Sequence, residues 1–399
     1  MTDYENNEEI KIFREYLRIP TVHPNIDYEP CIEFLKGLAK DLSLETNVFR
    51  PAHPKKPILV MTWKGREPEL PAILLHSHMD VVPVFEESWT HPPFAAEIDN
   101  EGKIFARGAQ DMKCVGMQYL GAIRAFKRAG VTFKRTIHLS FGAEEELGGI
   151  DGMKEFVKSE DFRRLNIGFS LDEGIASPDE SFPVFYAERS VWRFFFRIRG
   201  NTGHGSLLLE NTPGEKLRVL LDKMMDFRDQ ECQKLVNDPN LTVGDVTTVN
   251  LTQIKGGVQN NVIPAEFSLG FDVRIAIDVD HKEFEDKIRK WCEEAGGDIE
   301  IEFGHKLNRV EPTKLDESNV FWMAFKQATD EMNLVIKPLV FPGGTDSRFI
   351  RALNIPAIGF SPMNHTPVLL HDHDEFIKAD IYLKGIEIYK NIITKVANA

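Results

Sequence analysis

The chain has 399 residues, of which 42% are hydrophobic and 28% are charged, which is typical of a folded globular protein and excludes a disordered one. Acidic residues outnumber basic residues by 62 to 48, so the formal net charge is −14. A chain that repels phosphate overall is a poor candidate for binding nucleic acid or an anionic membrane surface. A local cluster of carboxylates could instead hold metal cations.

The length exceeds what one hydrophobic core usually serves, so we expect two domains. Residues 1–10 are acidic and lack the apolar core of a signal peptide, and no apolar run approaches the ~20 residues of a membrane span. The four cysteines are widely scattered, which indicates reduced, mostly buried thiols. These features predict a cytoplasmic protein with no membrane partner.

The first ~185 residues alternate apolar strand-like runs with amphipathic helices, the pattern of a sheet covered by helices. The same pattern resumes near the C-terminus. The predicted elements of these two parts are strands 58–62 and 73–75, helix 112–129, strands 136–141 and 167–171, helix 320–333, strands 335–340 and 355–360, and helix 377–396.

A different pattern lies between these parts. Its elements follow the order β-α-β-β-α-β, which is typical of a ferredoxin-like module. They are strand 192–198, helix 214–228, strands 246–254 and 266–275, helix 281–295, and strand 299–303.

We therefore predict an α/β catalytic domain with a helix-covered mixed sheet, interrupted by an inserted ferredoxin-like α+β dimerisation domain. The bounds are 1–187 and 307–399 for the catalytic domain and 188–306 for the insert. Open edge strands in the insert favour pairing with a second copy, and hence a homodimer.

Polar residues follow several predicted strands, at the positions where active sites of α/β sheets form. Each run alone is weak, because a His-x-His-x-Asp run is more often a solvated loop and a glutamate triplet is more often a charged helix start. The runs after strands are His76–Asp80, Gly142–Gly149 and Asp172–Gly174. Two further runs are Arg107–Asp111, which precedes the predicted helix 112–129, and Leu369–Glu375 in the C-terminal segment.

Taken together, these runs predict a metal site. Carboxylates and imidazoles gathered in one crevice would repel one another unless a cation were present. Imidazole and carboxylate ligands without paired thiols suit zinc at a hydrolytic site. The surplus of carboxylates is also compatible with two metals, about 3.5–4 Å apart, that share a bridging aspartate.

An ordered series of motifs resembles the zinc-dependent aminoacylase and carboxypeptidase family of metallopeptidases over nearly the whole chain. The motifs are HSHMDVVPV, ARGAQDMKC, EEELGG, LDEGIASP, the GHGS turn, GGVQNNVIPAEFSLGFDVRIA, GGTDSRFIRA and FSPMNHTPVLLHDHDE. One departure is Ala143-Glu144, where many members of the family have Pro-Asp before the two key glutamates.

The resemblance implies a residue set for two zinc ions per subunit. His78 and Glu173 would bind one zinc, Glu146 and His371 would bind the other, and Asp111 would bridge them. Asp80 would orient the imidazole of His78. In the family the peptide bond after the bridging aspartate is cis. The neighbours His76, Glu144, Asp172 and His373 are interpreted as ordinary hydrogen-bonding residues.

The resemblance also implies the catalytic and substrate-binding residues. Glu145 would be the general base. His204, in the turn Gly203-His204-Gly205, would stabilise the oxyanion from the other subunit, although such a turn is otherwise most simply a surface loop. Asn261 and Arg274 would hold the free carboxylate of the substrate, and Thr345 would line the same pocket.

The expected activity is hydrolysis of N-acyl-L-amino acids to a carboxylate and a free amino acid. Two alternatives stay open at this point. One is a dipeptidase or carboxypeptidase with the same metals and a different acyl-side pocket. The other is a catalytically silent binding protein, which the presence of Glu145 and all five implied ligands argues against.

Overall fold

The computed structural model describes residues 4–399. In this part of the chain, seventeen strands and ten α-helices are formed, together with 3₁₀ turns that include Glu145–Leu147. The helices are α1 Glu8–Leu17, α2 Glu29–Asp41, α3 Lys113–Arg128, α4 Met153–Phe156, α5 Glu160–Arg164, α6 Pro213–Asn237, α7 His281–Glu294, α8 Val320–Glu331, α9 Ser347–Arg351 and α10 Ala379–Val396. The strands are β1 Glu45–Phe49, β2 Ile58–Trp63, β3 Ala72–His78, β4 Glu97–Ile98, β5 Lys103–Phe105, β6 Ile137–Gly142, β7 Ile167–Asp172, β8 Phe182–Glu188, β9 Ser190–Arg199, β10 Gly203–His204, β11 Thr248–Gly256, β12 Val262–Ile263, β13 Glu266–Ile275, β14 Ile299–Lys306, β15 Ile336–Phe341, β16 Ala357–Phe360 and β17 Phe376–Lys378.

The described chain divides into two compact units. Unit 1 comprises residues up to 186 together with 313–339 and 344–399, and unit 2 comprises residues 187–312 and 340–343. The inserted segment expected from the sequence, 188–306, lies within the first range of unit 2. None of the described helices is long and apolar enough to cross a membrane. All four cysteines are free thiols and three of them are buried, as predicted.

The main sheet belongs mostly to unit 1 and is mixed, as the sequence predicted. Its strand order is β1-β2-β6-β3-β7-β16-β8-β15. Strand β3 pairs in parallel with both β6 and β7, whereas β1 and β2 run antiparallel to their neighbours. Because helices cover both faces, the central strands β3 and β6 are buried along their whole length, and β2 is buried except at Thr62.

Alternate residues of each central strand enter different cores. In β2, Leu59 and Met61 pack with α1, α3 and α10, while Ile58 and Val60 pack with α4, α5 and α9 on the opposite face. This is the two-residue period of a strand expressed in a sheet that is covered on both sides. It fixes the register of the strands and therefore the positions at which their polar ends emerge.

Unit 2 contains the ferredoxin-like module. Its sheet has the order β11-β13-β9-β14, and every neighbouring pair is antiparallel. One face packs against α6 and α7. The opposite face carries exposed charge pairs, including Arg197 with Glu302 at 2.7 Å and Arg193 with Asp272 at 2.9 Å. Strands β11 and β14 form the two edges of this sheet.

Several predicted elements have different ends in the structure, and two of these differences, in α6 and at the start of α10, have a clear cause. Helix α6 continues to Asn237 instead of ending near 228, because buried Glu231 extends its packed face by one turn beyond Phe227. The carboxylate of Glu231 also accepts a hydrogen bond of 2.8 Å from the backbone N–H of Thr247. Residues 377 and 378, which were expected to begin the last helix, belong to β17 because they pair with β5, and α10 begins at Ala379.

Candidate metal centre

Three adjacent parallel strands carry the first group of site residues. In the order β6-β3-β7, all three strands end at the same edge of the sheet. His78 is the last residue of β3, Glu145 opens the turn after β6, and Glu173 follows β7. Parallel strand order alone therefore gathers these three side chains, and one ligand atom from each lies within 4.8 Å of the others.

Asp111 lies between two pairs of ligand-type side chains. Its Oδ1 is 3.1 Å from Nε2 of His78, which is itself 3.6 Å from Oε1 of Glu173. Its Oδ2 is 3.3 Å from Nε2 of His371, which is itself 3.1 Å from Oε2 of Glu146. The structure thus brings together all five residues of the implied ligand set, with one oxygen of Asp111 directed to each pair. The Asp111–Met112 peptide bond is cis.

The donor atoms fit zinc. Zinc bonds to imidazole nitrogen and carboxylate oxygen are about 2.0–2.2 Å long, so two donors on one tetrahedral ion lie about 3.3–3.6 Å apart. The donor separations on the two sides of Asp111 run from 3.1 to 3.6 Å. Nitrogen and oxygen donors without thiolate also match the chemistry of a hydrolytic zinc site. Two groups of three side chains have ligand atoms within 4.8 Å of one another, namely His78 with Asp111 and Glu146, and His78 with Glu145 and Glu173. Glu145 belongs to the second group, so proximity alone does not separate base from ligand.

The carboxylates of the centre destabilise one another. Burial raises the pKa of Glu145 well above its usual value, and the charge of Glu173 raises it further. Burial and the charge of Asp111 do the same to the pKa of Glu173. Burial would also raise the pKa of Asp111, but hydrogen bonds from His371 and His78 outweigh it and lower that pKa. Such a cluster is stabilised by positive charge, which a bound cation supplies.

The two histidines respond to the same carboxylates. Burial lowers the pKa of His78, but the charge of Glu173 and the hydrogen bond to Asp111 outweigh it, so this pKa is raised well above its usual value. Hydrogen bonds to Asp111 and Glu146 raise the pKa of His371 to about 10. The carboxylates of the cluster therefore favour positive charge at the positions of both rings.

Asp80 contacts the site differently from the expected arrangement. The nearest acceptor for Nδ1 of His78 is the backbone carbonyl of Asp80, at 2.9 Å, whereas the Asp80 carboxylate is 3.7 Å from that nitrogen. The carboxylate instead accepts hydrogen bonds from the backbone N–H groups of Glu145 and Glu146, at 3.2 and 3.1 Å. Asp80 therefore fixes both the ring of His78 and the loop that carries the two glutamates.

His23 is a site neighbour that the sequence reasoning missed. Its Nε2 lies 2.8 Å from Oδ2 of Asp80, and both residues are buried. A single histidine beside a proline, far from every motif, has no ligand spacing that could have indicated this contact. The sequence gives no indication of the contact between His23 and Asp80, because the two residues are 57 positions apart.

The four neighbours interpreted as ordinary residues belong to neither ligand group within the described chain. His76 contacts Ser140 and Asp346. Among the other three neighbours, Glu144 contacts Lys56, Asp172 contacts Ser347, and the backbone N–H of His373 donates to Asp372.

The expected substrate-binding residues fall in both units. Thr345 is buried in unit 1. In unit 2, His204 lies on β10, which pairs with β12, and the carbonyl of Asn261 accepts a hydrogen bond of 2.7 Å from Gly205. His204 and Asn261 are therefore neighbours, and both are exposed. Arg274 donates from Nε to Asp272 at 2.7 Å and remains partly exposed.

Comparison with known proteins identifies the family. A model of the peptidase family M20/M25/M40 matches residues 74–395. The chain belongs to this family. Members of the M20/M25/M40 family are metal-dependent amidohydrolases, and so is this protein. The chain is similar to Aminoacylase-1 of Mus musculus, with 49% identity over 389 residues that cover 98% of this chain and 95% of the relative.

Solved structures of the M20/M25/M40 family share the fold. Aminopeptidase PepT from Bacillus cereus superimposes with a TM-score of 0.76 at 18% identity and covers 99% of both chains. The YXEP protein of Bacillus subtilis, described as a dinuclear metal-binding peptidase of family M20, gives a TM-score of 0.69 at 16% identity and covers 97% of this chain and 96% of its own. The resemblance inferred from the motifs is thus confirmed at the level of family and fold.

Proposed function

We propose that this protein hydrolyses N-acyl-L-amino acids to a carboxylate and a free L-amino acid, with two zinc ions per subunit. The observation that carries the proposal is the position of Asp111, whose two oxygens face separate pairs of donors. One pair is His78 with Glu173 and the other is Glu146 with His371. The near full-length similarity to Aminoacylase-1 supports the choice of an acylated amino acid as substrate. A structure of the same fold that is described as dinuclear supports two metals.

In the proposed reaction, Glu145 transfers the proton and Asp80 holds the loop that carries it. When bound, the two zinc ions supply a water nucleophile at neutral pH and positive charge for the carbonyl oxygen of the substrate. Glu145, which is buried beside His78 and Glu173, takes a proton from the attacking water. It then delivers this proton to the nitrogen of the departing amino acid. Asp80 holds the backbone of Glu145 and Glu146 during both transfers.

Residues of unit 2 complete the site in this proposal. The imidazole of His204 donates a hydrogen bond to the oxygen of the tetrahedral intermediate. Asn261 and Arg274 hold the free carboxylate of the substrate, and Thr345 of unit 1 lines the same pocket. His204 is exposed in unit 2, whereas every proposed metal ligand belongs to unit 1. We therefore propose a cytoplasmic homodimer in which His204 of each chain serves the centre of its partner.

A substrate panel tests the proposed function. The zinc-loaded protein should release methionine from N-acetyl-L-methionine faster than it cleaves methionine-containing dipeptides, and it should reject N-acetyl-L-methionine amide. A preference for dipeptides would replace the proposal with a dipeptidase or carboxypeptidase of the same family. Zinc binding without turnover of any amide would make the protein a silent binding protein.

A further inference from the structure

A buried carboxylate next to the metal centre has no role in the proposed reaction. Glu375 is completely buried and lies four residues after His371. Its Oε2 accepts hydrogen bonds from Nη1 of Arg107, at 2.8 Å, and from the backbone N–H of Gly108, at 3.1 Å. Its Oε1 accepts from the backbone N–H groups of Gln110, at 2.6 Å, and Asp111, at 3.2 Å. One side chain therefore binds the whole loop that leads to the bridging aspartate.

Gln110 makes the reciprocal contacts. Its side-chain nitrogen donates to the carbonyls of Pro367, at 3.0 Å, and Phe376, at 2.8 Å. Its side-chain oxygen accepts the backbone N–H of Leu369, at 3.1 Å. Pro367 and Phe376 flank His371 on its two sides in the sequence. The segment that carries His371 is thus bound to the residue that immediately precedes Asp111.

The contacts of Glu375 include more than its ion pair with Arg107. Arg107 pairs with one oxygen of Glu375, whereas the other oxygen accepts hydrogen bonds from the backbone N–H groups of Gln110 and Asp111. Hydrogen bonds of a carboxylate to consecutive backbone amides fix the position and direction of that backbone. The conformation of the loop before Asp111 therefore depends on Glu375.

We infer that Glu375 and Gln110 are positioning residues that fix Asp111 relative to His371, so that both sides of the bridging carboxylate meet their partner ligands. This inference rests on the proposed two-zinc site and adds two residues that set its metal affinity. The groups that support metal ligands typically contribute 10- to 100-fold to metal affinity or activity. The contribution should be largest for the zinc held by Glu146 and His371, because His371 lies on the bound segment.

The test uses Glu375→Gln and Gln110→Met in the full-length protein. In Glu375→Gln, an amide group replaces one accepting oxygen and faces backbone donors. In Gln110→Met, an unbranched side chain of similar length makes none of the three hydrogen bonds. The matched control is Glu9→Gln, which weakens another Arg–Glu pair, with Arg124 at 2.6 Å, between segments distant in the chain. Neither residue belongs to a ligand group.

The readouts are zinc affinity by competition with a chelator, zinc stoichiometry, and kcat and KM at saturating zinc. In both variants we expect at least one of the two zinc ions to lose about 10- to 100-fold in affinity, with kcat lowered and KM within about twofold of wild type. The control should keep wild-type zinc affinity even where its melting temperature falls equally. Wild-type zinc affinity in folded Gln110→Met would overturn the inference, and this variant decides the question if Glu375→Gln does not fold. A wild-type protein that bound no zinc would overturn the proposed function itself.

Discussion

Nε2 of His23 lies 2.8 Å from Oδ2 of the Asp80 carboxylate, and both side chains are buried. The Nδ1 of His23 has no hydrogen-bond partner in the part of the chain that the structure describes. A carboxylate accepts hydrogen bonds, so we assign the ring proton to Nε2. His23 therefore supports the residue that holds the backbone of Glu145 and Glu146.

Replacing His23 tests this support. His23→Ala should lower kcat about 10-fold, because Asp80 loses one of its hydrogen-bond donors and the glutamate loop is held less firmly. His23→Gln should restore most of the loss, because its amide also carries a donor at the end of the side chain. Steady-state kinetics at saturating zinc give the answer. Wild-type kcat in His23→Ala would mean that the other contacts of Asp80 are sufficient.

Substitution of Glu145 separates the base from the ligands. Glu145→Gln should keep two zinc ions per chain and lose at least ~100-fold in kcat, because the variant cannot accept the proton. Glu155→Gln, which changes a half-exposed glutamate ten residues later, is the control and should retain wild-type activity. Normal turnover by Glu145→Gln would remove Glu145 from the mechanism. Loss of zinc would instead make it a ligand, which its proximity to His78 and Glu173 permits.

The sequence predicted that polar side chains gather at one edge of the sheet, because these residues follow the ends of strands. His78, Glu145 and Glu173 each follow an apolar run, and parallel pairing of β6, β3 and β7 is enough to gather them. The order of the elements likewise predicted the mixed sheet and the ferredoxin-like module. In these cases the order of the elements along the chain is enough to predict which residues lie close together in space.

The supporting residues could not be predicted in this way. Glu375 reaches the loop before Asp111 across 264 to 268 positions of sequence, and no spacing encodes such a contact. The extension of α6 was missed for a related reason, since Glu231 is a polar residue that is buried by its contact with Thr247. Contacts between segments far apart in the chain depend on the completed fold.

Arg274 is the residue through which specificity for a free carboxylate can be tested. Arg274→Ala should raise KM for N-acetyl-L-methionine by about 10- to 100-fold, because a charge-assisted hydrogen bond to the carboxylate is lost. Discrimination between the acid and its amide should disappear with it. Arg193→Ala is the control, because Arg193 contacts the same Asp272. If Arg274→Ala still distinguishes acid from amide as wild type does, the carboxylate is held elsewhere.

Mixed dimers test whether two chains build each active site. Glu145→Ala and His204→Ala should each be nearly inactive alone. After the two variants are dissociated and reassembled together, half of the dimers should be mixed and each should contain one intact site. About a quarter of wild-type activity should therefore return. Subunit exchange is verified with differently tagged chains. If exchange occurs and activity stays at the level of the single variants, His204 does not act on the partner's centre.

Stepwise zinc titration of the metal-free protein, with the initial rate of N-acetyl-L-methionine hydrolysis measured at each addition, tests the central claim most directly. The position of Asp111 between two ligand pairs predicts that activity rises until two zinc ions are bound per chain and then stays constant. Asp111→Ala should bind neither ion tightly under the same conditions. Full activity at one zinc ion per chain, or no hydrolysis when two are bound, would contradict the account.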